Sequence, residues 1–533
     1  MPVFLKPSIT SPPKRLRKSL THALKNWNGL TGGRKSFVFL ALIILFTLII
    51  AVPATSQTNT STSHAQATPP ATEARITIVS VAPPRVRIEG SRSLPTRVWS
   101  FRSAYAGSMN LGERIENLSL ADAQGADVPV RRLTSGEYEA VREAISFSYE
   151  MKLDPPASTD DAAHVSWIVA AHGALMPGDL LPLPLARARI SFKLSGGWKI
   201  VSAENNFATK NGDANSDAFA TLEFADAESA IVFAGEDVRE HIERVGGINV
   251  HVAVAGDWAF TDKEIGDTVA SILREHEKTF GGVPRSSALV VIAPPPHTAT
   301  FSEWSAETRG ATVFYLSGRA PSKVSALARV TTPLSHELFH LWIPNALALT
   351  GDYAWFYEGF TNYQALRASQ RLGFLNFDDY LAALARADDN YELLRERDTL
   401  SLIESSARRW SGANALVYHK GMLVAALYDL KLREATRGRH SLDDVYRELF
   451  RRARARVGGR DGNALALDVL KEIAGGRDFA ARLVVVAQKL DLGAELSPFG
   501  LTVESAGARH QVVVSNHLTN SQRDLLRQIG YNK

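Results

Sequence analysis

Residues 334–342 read LSHELFHLW, in which His336 and His340 stand four apart and Glu337 directly follows the first. On a helix that spacing puts both imidazoles on one face, one turn apart. Two ring nitrogens can then converge on a single cation at about 2.0–2.1 Å each. Glu337 is rotated by about 100°, too far to be a third ligand but within reach of a water on that cation. The motif constrains the fold because its neighbours Leu334, Leu338, Phe339, Leu341 and Trp342 are apolar. The helix is therefore expected in a core, where paired imidazoles need partners. Thr332 and Pro333 predict its N-cap and first helical residue, and Pro344 its end.

A third donor follows in WFYEGFTNYQALRASQRLG, residues 355–373. Glu358 is expected near the start of a second helix, with Phe360, Tyr363 and Leu366 as its apolar stripe and Gly373 capping its end. Two histidines and one glutamate make a set for one Zn2+ ion that leaves a fourth position for water. Asn362 lies one turn beyond Glu358 and is a candidate to orient a ligating histidine. In ALVYHKGMLVAALYDL, 415–430, Tyr418 begins a third helix whose apolar face is Leu423, Ala426 and Leu427. Its hydroxyl is a candidate hydrogen-bond donor to the oxyanion of a tetrahedral intermediate.

HELFHLW at 336–342, WFYEGFTNY at 355–363, SLIESSARRW at 401–410, VYHKG at 417–421 and RGRHSLDDVYREL at 437–449 together resemble the gluzincin metallopeptidases. The nearer likeness is to the glycyl aminopeptidase family, the more distant to aminopeptidase N. The resemblance runs over about 245–500 and implies zinc held by His336, His340 and Glu358. It also implies Glu337 as general base for a zinc-activated water, and Tyr418 as the oxyanion donor. The fold it implies is multidomain α+β, with an N-terminal antiparallel β-domain followed by a thermolysin-like, mostly helical catalytic domain. Seventeen residues separate His340 from Glu358, one fewer than in aminopeptidase N relatives, a difference a loop absorbs. In those families a Gly-rich strand before the zinc helix carries a glutamate that holds the substrate's free amine. Here that segment reads TRGATVFYLSG, 308–318, and Thr312 falls at the expected glutamate. Gly310, Ala311 and Thr312 are taken as substrate-binding, and the strand 311–317 as the one an extended peptide pairs with. Glu303 and Glu307 stand nearby, out of register. The implied activity is aminopeptidase-like hydrolysis. The rivals are a zinc endopeptidase, motivated by Thr312, and a catalytically silent interaction protein on the same scaffold.

The remaining chain frames this centre. With no cysteine among 533 residues, disulfides and thiol chemistry are excluded, and a metal must rest on histidines and carboxylates. Eight Lys and Arg lie in residues 1–35, and the first acid is Glu73. Setting those eight aside leaves 52 bases against 56 acids, so the body has no basic excess for nucleic acid. After the basic leader, 36–54 contains the run FVFLALIILFTLIIAV and reads as a signal h-region or a short membrane anchor. Either reading makes the body extracytoplasmic, membrane-anchored or secreted. A Ser/Thr/Pro-rich linker spans 55–72. Period-two runs such as RITIVSV (75–81), RVRI (85–88) and RISFKL (189–194) predict a β-rich domain over 73–240. Within it His164 and His172 carry no catalytic spacing. The catalytic domain is expected over 245–500, and 501–533 as a short extension, too short for the family's usual C-terminal PDZ domain. The expected partners are a peptide or protein substrate and a membrane through the N-terminal segment; oligomeric state is left open.

Overall fold

A computed structural model describes residues 71–532, apart from 205–208, 212–218, 348, 455–458, 474–476 and 508. The basic leader, the apolar segment 36–54 and nearly all of the 55–72 linker lie outside the described residues. Among the described residues no helix is long and apolar enough to cross a membrane. The described residues belong to one compact unit.

The N-terminal part is β-structured, as the period-two runs predict. A nine-stranded sheet is centred on Thr72–Val81, Pro84–Ser100 and Glu137–Lys152. Alternate residues of these strands (Ile76, Val86, Ile88, Phe147, Tyr149, Met151) are buried in one core. The sheet is not wholly antiparallel. Thr72–Val81 runs parallel to Ala188–Lys193, because a long excursion returns the chain to the same edge in the same direction. That excursion contributes strands to a second, four-stranded sheet. Trp167, Ala174, Val201 and Phe233 of this smaller sheet pack against Leu289, Val291, Phe314 and Leu316, which belong to the next layer.

The next layer is a five-stranded mixed sheet in the order Arg239–Val245, Ile248–Val254, Ser287–Ala293, Thr312–Ser317, Trp304–Arg309. Its three central strands are parallel, and Ser287–Ala293 and Thr312–Ser317 are buried on both faces, which explains the apolar runs at 288–293 and 313–316. The crossover helix Asp262–Phe280 covers one face; Thr261 and Glu264 close its first turn as a capping box. On that face Val250, Val252, Val290, Ile292, Val313 and Tyr315 join a core built mainly from the helices that follow. The strands Trp304–Arg309 and Thr312–Ser317 form a hairpin turned by Gly310 and Ala311. Gly310, at φ 54, supplies the positive dihedral that such a two-residue turn needs.

This topology corrects one expectation. Thr312–Ser317 is bonded on one side to Ser287–Ala293 and on the other to Trp304–Arg309, so it cannot take a substrate strand. The free edge belongs to Trp304–Arg309. Gly310 and Ala311 are turn residues, and Thr312 is buried in the inner strand.

The helix bearing the HExxH motif also differs from its expected bounds. It spans Lys323–Phe339, with Ser322 as N-cap bonded to the Ser325 amide, so Pro333 lies inside it. Pro333 sacrifices one backbone bond, yet ten residues before it fold as helix because Ala326, Val330 and Leu334 bury a continuous stripe. Packing overrides the local stop signal. Beyond residue 500, the hairpin Leu501–Ala506/Arg509–Val514 and the helix Asn520–Gln528 are not appended to the surface. Leu501, Val512, Leu525, Leu526 and Ile529 are part of the main core.

Candidate metal centre

Three elements build the site. The histidine helix, Lys323–Phe339, carries His336 and ends at His340, its C-cap residue. Next come a π-helical turn, Trp355–Phe360, and the helix Thr361–Arg371 that continues it; Glu358 lies in the turn. Such wide turns re-aim a side chain relative to regular helix and recur at functional sites. Gly373 follows the second helix at φ 79, the left-handed cap its position predicts. The third element is the tyrosine helix, Asn414–Thr436, which starts four residues before Tyr418.

These elements bring three donor atoms together. His336 Nε2 lies 3.0 Å from His340 Nε2 and 3.1 Å from Glu358 Oε2, and His340 Nε2 lies 3.4 Å from the same oxygen. Ligands about 2.05 Å from one tetrahedral ion are separated by about 3.3 Å, so the cluster has the dimensions of a zinc site. His336, His340 and Glu358 are the one such group among the described residues. His340 Nδ1 is 2.9 Å from the Ile343 carbonyl, which can only accept; the ring therefore donates there and turns the Nε2 lone pair to the cluster. His336 Nδ1 is buried with no protein partner among the described residues. Asn362, expected to orient a ligand, forms no hydrogen bond to either imidazole among the described residues, and the backbone at Ile343 fills that role.

In the metal-free chain burial would lower His340, but the Glu358 carboxylate outweighs it and raises the imidazole to about 9. Burial would raise Glu358; the charge of Arg409, with the two imidazoles, holds it well below the usual carboxylate range. Burial and the Glu358 charge push the Tyr418 phenol well above its ordinary value, opposed by Arg409.

Glu337 sits beside the cluster on the histidine helix, and Thr308 of the edge strand holds it. The Thr308 hydroxyl lies 2.7 Å from Glu337 Oε2 and 2.9 Å from the Glu337 carbonyl. Tyr418 faces the other side, its ring stacked 6.3 Å from the His336 ring. Arg409 closes that side. Its Nη1 is 2.9 Å from Glu358 Oε1, and its Nη2 donates to the Tyr418 hydroxyl at 2.9 Å.

Thr308 and Arg409 were not singled out from sequence. Arg409 lies in SLIESSARRW, where nothing distinguishes it from Arg408. Thr308 precedes the Arg-Gly-Ala turn, and alternation along an edge strand would place it opposite Glu307 and Arg309. The opposite face of that strand carries a buried charged cluster. Glu307 pairs with His164 and accepts from Tyr105 at 3.0 Å and from Arg309 at 3.4 Å. Burial opposes its charge, but His164 and Arg309 hold it down at about 2. His164 is thus partnered to the edge strand, whereas His172 is a buried ring packed on Trp167.

Residues 329–424, which contain His336, His340, Glu358, Glu337, Arg409 and Tyr418, match the model of the M61 glycyl aminopeptidase family. No curated protein matches. Among solved structures, an aminopeptidase N family protein from Idiomarina loihiensis superimposes with a TM-score of 0.67 at 15% identity, over 81% of this chain and 79% of that one. An M1 zinc metallopeptidase variant from Deinococcus radiodurans gives 0.54 at 13% identity, over 79% and 95%. The same enzyme bound to a Tyr-Ser-Ala substrate gives 0.53 at 15% identity, over 79% and 94%. At these identities the likeness is one of fold: β-sheets first, then a helical part. The resemblance to the glycyl aminopeptidase family read from the sequence is matched by the family model over 329–424, and the more distant one to aminopeptidase N by the fold of these structures.

Proposed function

We propose that this chain is a zinc-dependent peptidase of aminopeptidase type. The observation that carries the reading is the convergence of His336 Nε2, His340 Nε2 and Glu358 Oε2, with Glu337 on one flank and Tyr418 on the other. His336, His340 and Glu358 would hold one zinc ion. When bound, the ion supplies a water with its pKa lowered towards 7 and a Lewis acid for the substrate carbonyl.

The chain's own groups do the rest. Glu337 takes the proton of the attacking water and delivers it to the departing amine. Thr308 keeps that carboxylate turned to the site. Tyr418 donates to the carbonyl oxygen as negative charge develops there. An extended peptide pairs with the free edge of Trp304–Arg309, which puts its scissile bond beside the histidine helix. Glu307, half-buried on the other face of that strand, is the carboxylate offered to a free amino terminus, by exchange of its contacts with His164, Tyr105 and Arg309. This is the role the sequence reading could not assign once Thr312 stood in the expected place.

Replacing Glu337 by Gln is expected to leave zinc bound and to lower kcat about 10²-fold or more. Turnover equal to the parent's would refute the mechanism. A second reading, endopeptidase, is favoured by the existing contacts of Glu307 with His164, Tyr105 and Arg309. Paired peptides with free and acetylated amino termini decide between them: acetylation abolishes aminopeptidase turnover and spares endopeptidase turnover. The basic leader and the apolar run at 36–54 support an extracytoplasmic body, anchored or secreted.

A further inference from the structure

Arg409 lies over the exposed Trp410 ring on one side and reaches into the site on the other. It opens the short turn Arg409–Ser411 that leads into the tyrosine helix. Its Nε lies 3.0 Å from Asn414 Oδ1, and its Nη1 lies 3.2 Å from the Tyr357 hydroxyl as well as 2.9 Å from Glu358 Oε1. Its Nη2 donates to the Tyr418 hydroxyl. A guanidinium is a rigid planar fork with donors only. Two consequences follow from that chemistry. Glu358 Oε1 is taken, so Oε2 alone faces His336 and His340. The Tyr418 oxygen accepts from Arg409, so its own hydrogen is excluded from that direction and is turned to the Glu358 carboxylate, at the edge of the metal cluster.

We propose that Arg409 is a positioning residue that commits Glu358 to one ligating oxygen and fixes the Tyr418 hydroxyl beside it, where a substrate oxygen takes over its hydrogen from Glu358. This deepens the zinc peptidase reading and rests on it. Arg409 acts through Glu358 and Tyr418 and not on the substrate itself. It acts on both at once, which a residue holding only one element in place would not do.

The experiment uses the full chain loaded with cobalt in place of zinc, in the parent, Arg409→Met and Arg409→Lys. Loss of the guanidinium frees Oε1 to ligate, so the visible cobalt absorption of Arg409→Met is expected to fall about twofold as coordination number rises. Arg409→Lys keeps the charge and the fold but not the two-sided fork, and is expected to give the same change. With zinc and a peptide substrate, Arg409→Met is expected to lower kcat about tenfold with KM little altered. In a Tyr418→Phe background the same change costs less than about threefold, because its target is already gone. A cobalt spectrum identical to the parent's in both variants, or equal losses with and without Tyr418, overturns the proposal. A parent chain that takes up no cobalt overturns both the proposal and the metal reading. Cobalt uptake without peptide cleavage defeats only the peptidase reading, and the spectrum of the variants still decides for or against Arg409.

Discussion

Glu337, the proposed general base, is held by a single hydroxyl. Thr308 reaches Glu337 at 2.7 Å, and a hydrogen bond to a charged group contributes about 1.5–3 kcal/mol. Thr308→Val keeps the shape and removes the donor, so kcat is expected to fall about tenfold or more, with zinc content unchanged. Thr308→Ser restores the hydroxyl and most of the rate. A Val variant with parental kcat would show that the histidine helix alone orients Glu337. The pair also shows how far the motif reads from sequence. HExxH gives the candidate ligands and the proposed base by spacing, but the residue that steadies Glu337 lies 29 positions upstream, on a strand of different sequence character.

At the scale of elements, the site depends on how closely two of them approach. Gly359 in the π-helical turn and Gly421 in the tyrosine helix face each other. A Cβ added to Gly359 would lie 2.5 Å from the Val417 carbonyl oxygen and 2.6 Å from the Gly421 Cα. A Cβ on Gly421 would lie 2.8 Å from the Gly359 Cα. All of these are backbone atoms, which cannot rotate away. The contact brings Glu358 and Tyr418 into reach of one guanidinium. Gly421→Ala is expected to lower stability by about 1–3 kcal/mol, measured by thermal unfolding, and to depress kcat by separating the helices. Unchanged melting and activity would mean the crossing can widen freely. The glycine of VYHKG belongs to the family resemblance, but its purpose is visible only where the two helices cross.

For the whole molecule, His276 ties the crossover helix to the back of the histidine helix. It is fully buried between Phe339 and Trp342, and its Nε2 donates to the Ser335 carbonyl at 2.8 Å. Burial lowers its pKa from 6.5 to about 3. Between those values the unfolded chain binds a proton that the folded chain refuses. Stability from this group is therefore complete above pH 6.5 and declines as pH falls towards 3, by about 1.4 kcal/mol per pH unit. His276→Gln, which keeps a donor and cannot ionise, is expected to flatten denaturant midpoints across that window. An equal slope in the variant would place the acid sensitivity elsewhere. Removing residues 520–533 is a second test at this scale. Leu525, Leu526 and Ile529 leave the core, and Arg367 loses the Ile529 carbonyl. The expected result is a lower melting temperature for the whole unit, not the clean loss of an independent tail.

The local chemistry was readable from residue types and spacing: two imidazoles one turn apart, a glutamate opening the next helix, alternating strands before 240 and helices after 333. These follow from short-range rules, because helical and pleated periods are properties of consecutive residues. Whatever depended on distant segments was not readable. The histidine helix begins at Lys323 because burial outweighs the break at Pro333, and Thr312 is interior because sheet order decides which strand is free. Asn362 bonds neither imidazole: His340 takes the Ile343 carbonyl of its own turn, and His336 Nδ1 has no protein partner among the described residues. Thr308 and Arg409 acquire their roles only through approach across 29 and 51 residues of chain, to Glu337 and Glu358 respectively. Spacing thus names the atoms that can bind and react, while packing decides which oxygen, hydrogen and strand edge are left free to do so.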